Sequence, residues 1–190
     1  AAKTDFQHFI GSLIKGIATF DKPIGELVAK NCCFRINRDV RFSKNKNPYK
    51  NNMGGYFNKD GKNGLGAGYY FHLQPGGSFA AGGIWMPEPA VLLKIRQEID
   101  YNFVEWENLI KSSAFKKNFQ QGLVSTESLV RPPKGYEIDN PAIHYIKMKS
   151  FIVSKKFTDK EVLEKGIVNN VIKTFSAMKP MIEFLNRALD

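Results

Sequence analysis

Residues 68–85 read Gly68-Tyr69-Tyr70-Phe71-His72-Leu73-Gln74-Pro75-Gly76-Gly77-Ser78-Phe79-Ala80-Ala81-Gly82-Gly83-Ile84-Trp85. Two strand-like runs, 69–74 and 78–85, flank a Gln-Pro-Gly-Gly turn, and that order predicts a β-hairpin. A connection this short can only join antiparallel strands, since a parallel pair needs a crossover of a dozen residues or more. Ten of the 16 glycines lie between Phe34 and Trp85, a density that suits strands and turns and argues against helix there. Further strands are predicted at 33–42, 55–57 and 150–157, with Asn58-Lys59-Asp60-Gly61 as a second turn.

Helical spacing governs the flanks. Phe6, Phe9, Ile10, Leu13, Ile14 and Ile17 follow Thr4 as N-cap and predict an amphipathic helix over 5–18. A short helix is expected at 25–30. Pro87-Glu88-Pro89 opens another, because proline is tolerated in a first turn and an acid suits the positive end of the helix dipole; Val91, Leu92, Ile95 and Ile99 form its buried stripe. One more helix is expected over 104–110. Thr158 and Glu161 have capping-box spacing, and 167–188 is helical, with Pro180 as a kink or a break. The fold class that follows is α+β: a single domain over 1–190, with a mainly antiparallel sheet packed against N-terminal, central and C-terminal helices.

Composition agrees. The 190 residues are 43% hydrophobic and 24% charged, the balance of one folded domain and not of a disordered chain. No apolar run approaches the ~18 residues of a membrane span. The opening Ala1-Ala2-Lys3-Thr4-Asp5 lacks an apolar signal core, which points to a cytoplasmic protein or to a chain trimmed at its start. Cys32 and Cys33 are adjacent, so no disulfide framework is available; they read as structural thiols. His8, His72 and His144 stand far apart without a metal-ligand spacing, and no metal site or cofactor is expected. Gly64-Leu65-Gly66-Ala67-Gly68 leads into a strand and lacks the Gly-Lys-Ser/Thr ending of a nucleotide loop.

Charge gives the functional signal. The chain carries +10, concentrated between Arg35 and Lys62, where eight basic residues face two acids for a balance of +6. If 34–42 is a strand, period two sets Phe34, Ile36, Val40 and Phe42 on one face and Arg35, Asn37, Asp39 and Arg41 on the other. Arg38 then falls among the apolar side chains and needs a carboxylate, Asp39 or Glu88, because an unpaired buried charge is costly. Three readings stand. An Arg-Asp lattice would be purely structural. A pocket for a small phosphate- or carboxylate-bearing ligand would use Arg35, Arg38, Asp39, Arg41, Lys46, Tyr49 and Lys50, with His72 and Glu88 as proton-transfer groups. A nucleic-acid surface would expose the basic side chains, including Lys44, Lys59 and Lys62, in one strip beside open Tyr69 or Tyr70 rings.

The run Arg35-x-x-Arg38-Asp39-x-Arg41-Phe42 followed by Asn45-Lys46-x-x-Tyr49-Lys50 resembles the signature of a family of bacterial conserved hypothetical proteins, a domain of unknown function. Gly68-Tyr69-Tyr70-Phe71-His72 and Gly82-Gly83-Ile84-Trp85-Met86-Pro87-Glu88-Pro89 are similar to that family's second motif, and the similarity continues to Phe184-Leu185-Asn186. The resemblance implies an extra N-terminal segment in family members, which this chain is expected to lack. The resemblance implies kinship and brings no activity with it.

Overall fold

Met53–Phe57 (β1), Gly68–Leu73 (β2), Ser78–Ile84 (β3) and Phe151–Phe157 (β4) form an antiparallel sheet in the order β1-β2-β3-β4. This is seen in a computed structural model that describes residues 2–38, 41 and 46–190. The expected hairpin is β2–β3, its turn closed by the Gly77 N–H donating to the Gln74 carbonyl over 2.9 Å. The register sets Tyr56 opposite Tyr70 and Tyr70 opposite Ala81, with Ala81 in turn opposite Ser154.

Ala2–Ile17 (α1) and Ile167–Arg187 (α8) cover one face of the sheet. Phe6, Ile10, Leu13 and Ile17 of α1 and Val171, Phe175, Met178 and Met181 of α8 meet Phe57, Tyr69 and Phe71 in one buried core. Helices Pro89–Tyr101 (α3), Phe103–Lys111 (α4), Ser113–Asn118 (α5) and Ile143–Ile146 (α6) extend that core on the far side of α8. Trp106 is its centre, fully buried, with Phe184 of α8 at 4.9 Å and Phe151 of β4 edge-on at 6.1 Å between ring centroids. Ala29–Cys32 (α2) and Asp159–Leu163 (α7) are single turns, and α7 starts with the predicted capping box of Thr158 and Glu161. No helix among the described residues is long and apolar enough to cross a membrane.

The α+β class and the antiparallel sheet agree with the sequence reading; α5 and α6 lie where the sequence pattern predicts no helix, and four predicted details differ. Thr4 lies inside α1, which already begins at Ala2. A 3-10 turn at Lys22–Glu26 and then α2 replace a single helix at 25–30. Helix α8 runs unbroken past Pro180, which sits on its exposed side. The fourth concerns 33–42. Cys33 pairs with Gly55 and Asn37 with Tyr49, so four steps on one side face six on the other. The excess on the returning side prevents a continuous ladder over 33–37, leaving one isolated bridge on the outer edge of β1 and a second before β1 begins; residues 39, 40 and 42 of the expected strand lie outside the described residues.

Gly83 shows how tightly β3 is held. Its φ of +122° is unfavourable for any side chain, and a Cβ there would stand 1.9 Å from the Phe151 carbonyl oxygen of β4. Gly83→Ala is expected to lower the unfolding free energy by about 2–3 kcal/mol, read as a lower urea midpoint at unchanged slope.

Candidate functional site

With α1 and α8 on one face, the opposite face of the sheet is left to short side chains and aromatic rings. Gly54, Gly68 and Ala81 alternate there with Tyr56, Tyr70 and Phe79, and above them lies a cavity of about 730 Å³. Three segments wall it. Phe34, Arg35, Lys50 and Asn52 come from the edge beyond β1; Lys62 and the 64–66 loop come from the β1–β2 connection; Trp85, Met86 and Glu88 come from the corner into α3. The volume is that of a small-molecule site.

Local chemistry fixes each wall. Met86 adopts a positive φ of 44°, a conformation of a non-glycine residue that must be held by its surroundings. Ser150 holds it, its hydroxyl accepting from the Met86 N–H at 3.0 Å. That bend turns Trp85 outward, 68% exposed at the rim. Glu88 occupies the N-cap position of α3, yet its side chain makes no capping bond, so helix capping does not account for a carboxylate there. The glycine-rich loop is a structural clamp: buried Asn58 donates to the carbonyls of Gly66 and Ala67, while Asn186 of α8 accepts from Ala67 N–H at 2.7 Å and donates to its carbonyl. Tyr56 donates to the Gly66 carbonyl at 3.1 Å, and burial pushes its hydroxyl up to about 12.

The rim is cationic on the β1 side. Arg35 and Lys50 are exposed, and among the described residues neither has a carboxylate partner. Lys62 donates to the Cys33 carbonyl at 3.2 Å and stands over the Phe34 ring at 5.7 Å. The thiols beneath are kept protonated. Burial first, then the neighbouring Cys33, pushes Cys32 up to about 11, and burial raises Cys33 against the pull of Lys62. Among the described residues no group of three His, Cys, Asp or Glu side chains could hold a metal ion.

Of the residues singled out in the sequence, Arg35, Lys50 and Glu88 meet at this cavity. Arg38, Arg41, Lys46 and Tyr49 do not line it, and Asp39, with Val40, Phe42 and Lys44, lies outside the described residues. The expectation that Arg38 is largely buried is corrected, since it is half-buried; of its two expected partners, Asp39 lies outside the described residues. Glu88 cannot serve, because the edge segment carries Arg38 past the Met53 end of the sheet while Glu88 follows Ile84 off the other end. The buried arginine is Arg96 on α3, 9% exposed, which donates to the Met148 carbonyl at 3.3 Å and leaves Nε without a partner. Tyr69 is on the helix side, donating to Asp21 at 2.9 Å, so its ring is not open to solvent. Lys59 and Lys62 are exposed as expected. His72 does not itself line the cavity; both its ring nitrogens are hydrogen-bonded, to Tyr70 and to Gln74. Asn52, Lys62 and the open-face aromatics are the wall residues that the charge pattern did not assign to a pocket.

These features define a single α+β domain whose antiparallel sheet is covered by helices on one side and bears a ligand-sized cavity on the other. The model of the family described as "Conserved hypothetical protein (DUF2461)" matches residues 1–184, and the chain belongs to that family. No curated protein and no solved structure gives a significant match.

The two tryptophans report on different places, Trp85 at the rim and Trp106 at the core. Iodide is expected to quench only the Trp85 emission, so Trp85→Phe should leave a blue-shifted, unquenchable spectrum. Equal quenching of the wild type and Trp85→Phe would contradict the open cavity.

Proposed function

We propose that the protein binds a small ligand that combines an anionic group with a flat apolar body, in the cavity on the open face of the sheet. The observation that supports this most is the pairing of a cationic rim with an aromatic and glycine floor. Arg35, Lys50 and Lys62 supply donors to one side, and Tyr70, Phe79 and Trp85 supply ring surface beside them. Guanidinium and ammonium groups recognise carboxylate, sulfonate or phosphate oxygens by charge-assisted hydrogen bonds, and rings contribute apolar area at low conformational cost. The anion site thus rests on Arg35, Lys50 and Lys62, in place of the three-arginine cluster suggested by the sequence. Glu88, whose side chain makes no capping bond to its helix, is the carboxylate within reach of a bound molecule.

Benzenesulfonate is a suitable probe, since it has both parts and a charge that does not change with pH in the working range. At about 100 times its dissociation constant it should stabilise the fold by about 2.7 kcal/mol, seen as a rise in Tm. Arg35→Ala and Lys50→Ala remove exposed side chains and should leave the Tm of the unliganded protein unchanged, while weakening binding by about tenfold each, or about 1.4 kcal/mol. Unchanged affinity in both variants would defeat the proposal. Salt separates it from a polynucleotide surface: each duplex phosphate engaged would add a slope of about −0.9 to log affinity against log salt, whereas one anion gives a shallow dependence.

A further inference from the structure

The hydroxyl of Tyr70 starts a hydrogen-bonded chain along the open face of β2. It lies 2.9 Å from His72 Nδ1, and His72 Nε2 lies 3.1 Å from Gln74 Oε1. The three side chains occupy every second residue, so the strand period puts them in line. Gln74 Oε1 can only accept, which places the imidazole hydrogen on Nε2; Nδ1 of a neutral His72 is then a bare acceptor, and Tyr70 O–H donates to it. The imidazole is stacked on Phe79 at 4.8 Å and 15°, which fixes its plane. Gly54 faces His72 in the register, and a Cβ there would stand 2.7 Å from the Tyr70 hydroxyl oxygen. The glycine therefore leaves that oxygen open beside the cavity, which Tyr70 and Gly54 both line.

We propose that Tyr70, positioned by His72 and Gln74, is a proton-coupled anion contact: binding of an anionic oxygen in the cavity takes up one proton at His72. This deepens the reading above and rests on it. While His72 is neutral, the hydroxyl hydrogen of Tyr70 is committed to Nδ1, and the oxygen turns only lone pairs toward the cavity, which repel an anion. A proton taken from solvent onto Nδ1 reverses the bond. The imidazolium donates to the Tyr70 oxygen, and the Tyr70 O–H swings to the ligand. The covalent O–H bond of Tyr70 stays intact while its hydrogen bond to Nδ1 is exchanged for one to the ligand, and burial holds that hydroxyl above its ordinary pKa, so it remains a donor.

The surroundings of His72 favour such coupling. Gly54 brings no charge from β1, Phe79 none from β3, and Lys156 of β4 lies opposite Phe79 in the register. Tyr70 and Gln74 flank it on its own strand; beyond Tyr70 the cavity carries Arg35, Lys50 and Lys62 against Glu88. A bound anion adds the negative charge that these otherwise cationic surroundings lack.

Calorimetric titration of the full chain with benzenesulfonate tests the idea across about pH 5 to 8, the range in which histidine is the ordinary titrating side chain. Uptake of one proton should tighten binding by up to about tenfold per pH unit toward acid. His72→Gln and Tyr70→Phe should each flatten that profile, an effect that a merely structural histidine would not produce. Histidine ¹⁵N spectra of the wild type should show the Nε2–H tautomer for His72, independently of any variant's stability. An identical pH profile in His72→Gln, or an Nδ1–H tautomer, would overturn the coupling while leaving the cavity reading intact. Failure of the wild type to bind the probe at any pH would overturn the cavity reading, and this one with it.

Discussion

The seating of α8 on β3 is the contact from which the rest of the structure takes its position. A Cβ on Gly82 would lie 2.7 Å from Met178 Sδ and 3.3 Å from Ile182, so only bare backbone lets the helix approach this closely. Once seated, α8 carries Phe184 to Trp106, which organises the outer helices, and Asn186 to Ala67, which clamps the loop before β2. One close approach thus couples the sheet, the second helical layer and a wall of the cavity. It also decides which face of the sheet is left uncovered.

Elements with a strong period were readable in the sequence because burial on one side produced the period. The α1 stripe, the α8 stripe and the β2–β3 hairpin with its Pro-Gly-Gly turn each announced themselves through side chains that meet the core. The segment after Cys33 did not: its described part, 34–38, is held by isolated bridges and not by a ladder, so no strand period is enforced there. Asp39, Val40 and Phe42 of the expected alternation lie outside the described residues. Pro180 misled for the opposite reason: a long helix tied to the core on its other side outweighs one lost backbone bond.

The cavity was half legible. Arg35, Lys50 and Glu88 could be named from charge and position, but nothing local says that a loop after β1 brings Lys62 to the same place. The expectation of a buried arginine was sound as physics and attached to the wrong residue. Arg96 follows Leu92 by one helical turn, within the stripe of Val91, Ile95 and Ile99, so the spacing that predicts an apolar face also predicted its burial. His72 shares its strand face with Tyr70 and Gln74 as alternation requires, and the hydrogen bonds between them follow from that alone.

The bridges at the two margins of the sheet have a meaning of their own. On one side Cys33 pairs with Gly55, and the Phe34 N–H donates to the Gly54 carbonyl; on the other, Val124 and Ile152 exchange both backbone bonds, at 2.8 and 3.1 Å. Neither segment is a full strand, yet each occupies donors and acceptors that an outer strand would otherwise offer to a neighbour. A four-stranded meander with bare margins invites addition of another chain's strand. Here each margin is interrupted at one point by a short, irregular piece, at Gly55 on one side and at Ile152 on the other, which breaks the run of free backbone groups that an added strand would need while leaving the broad face of the sheet open.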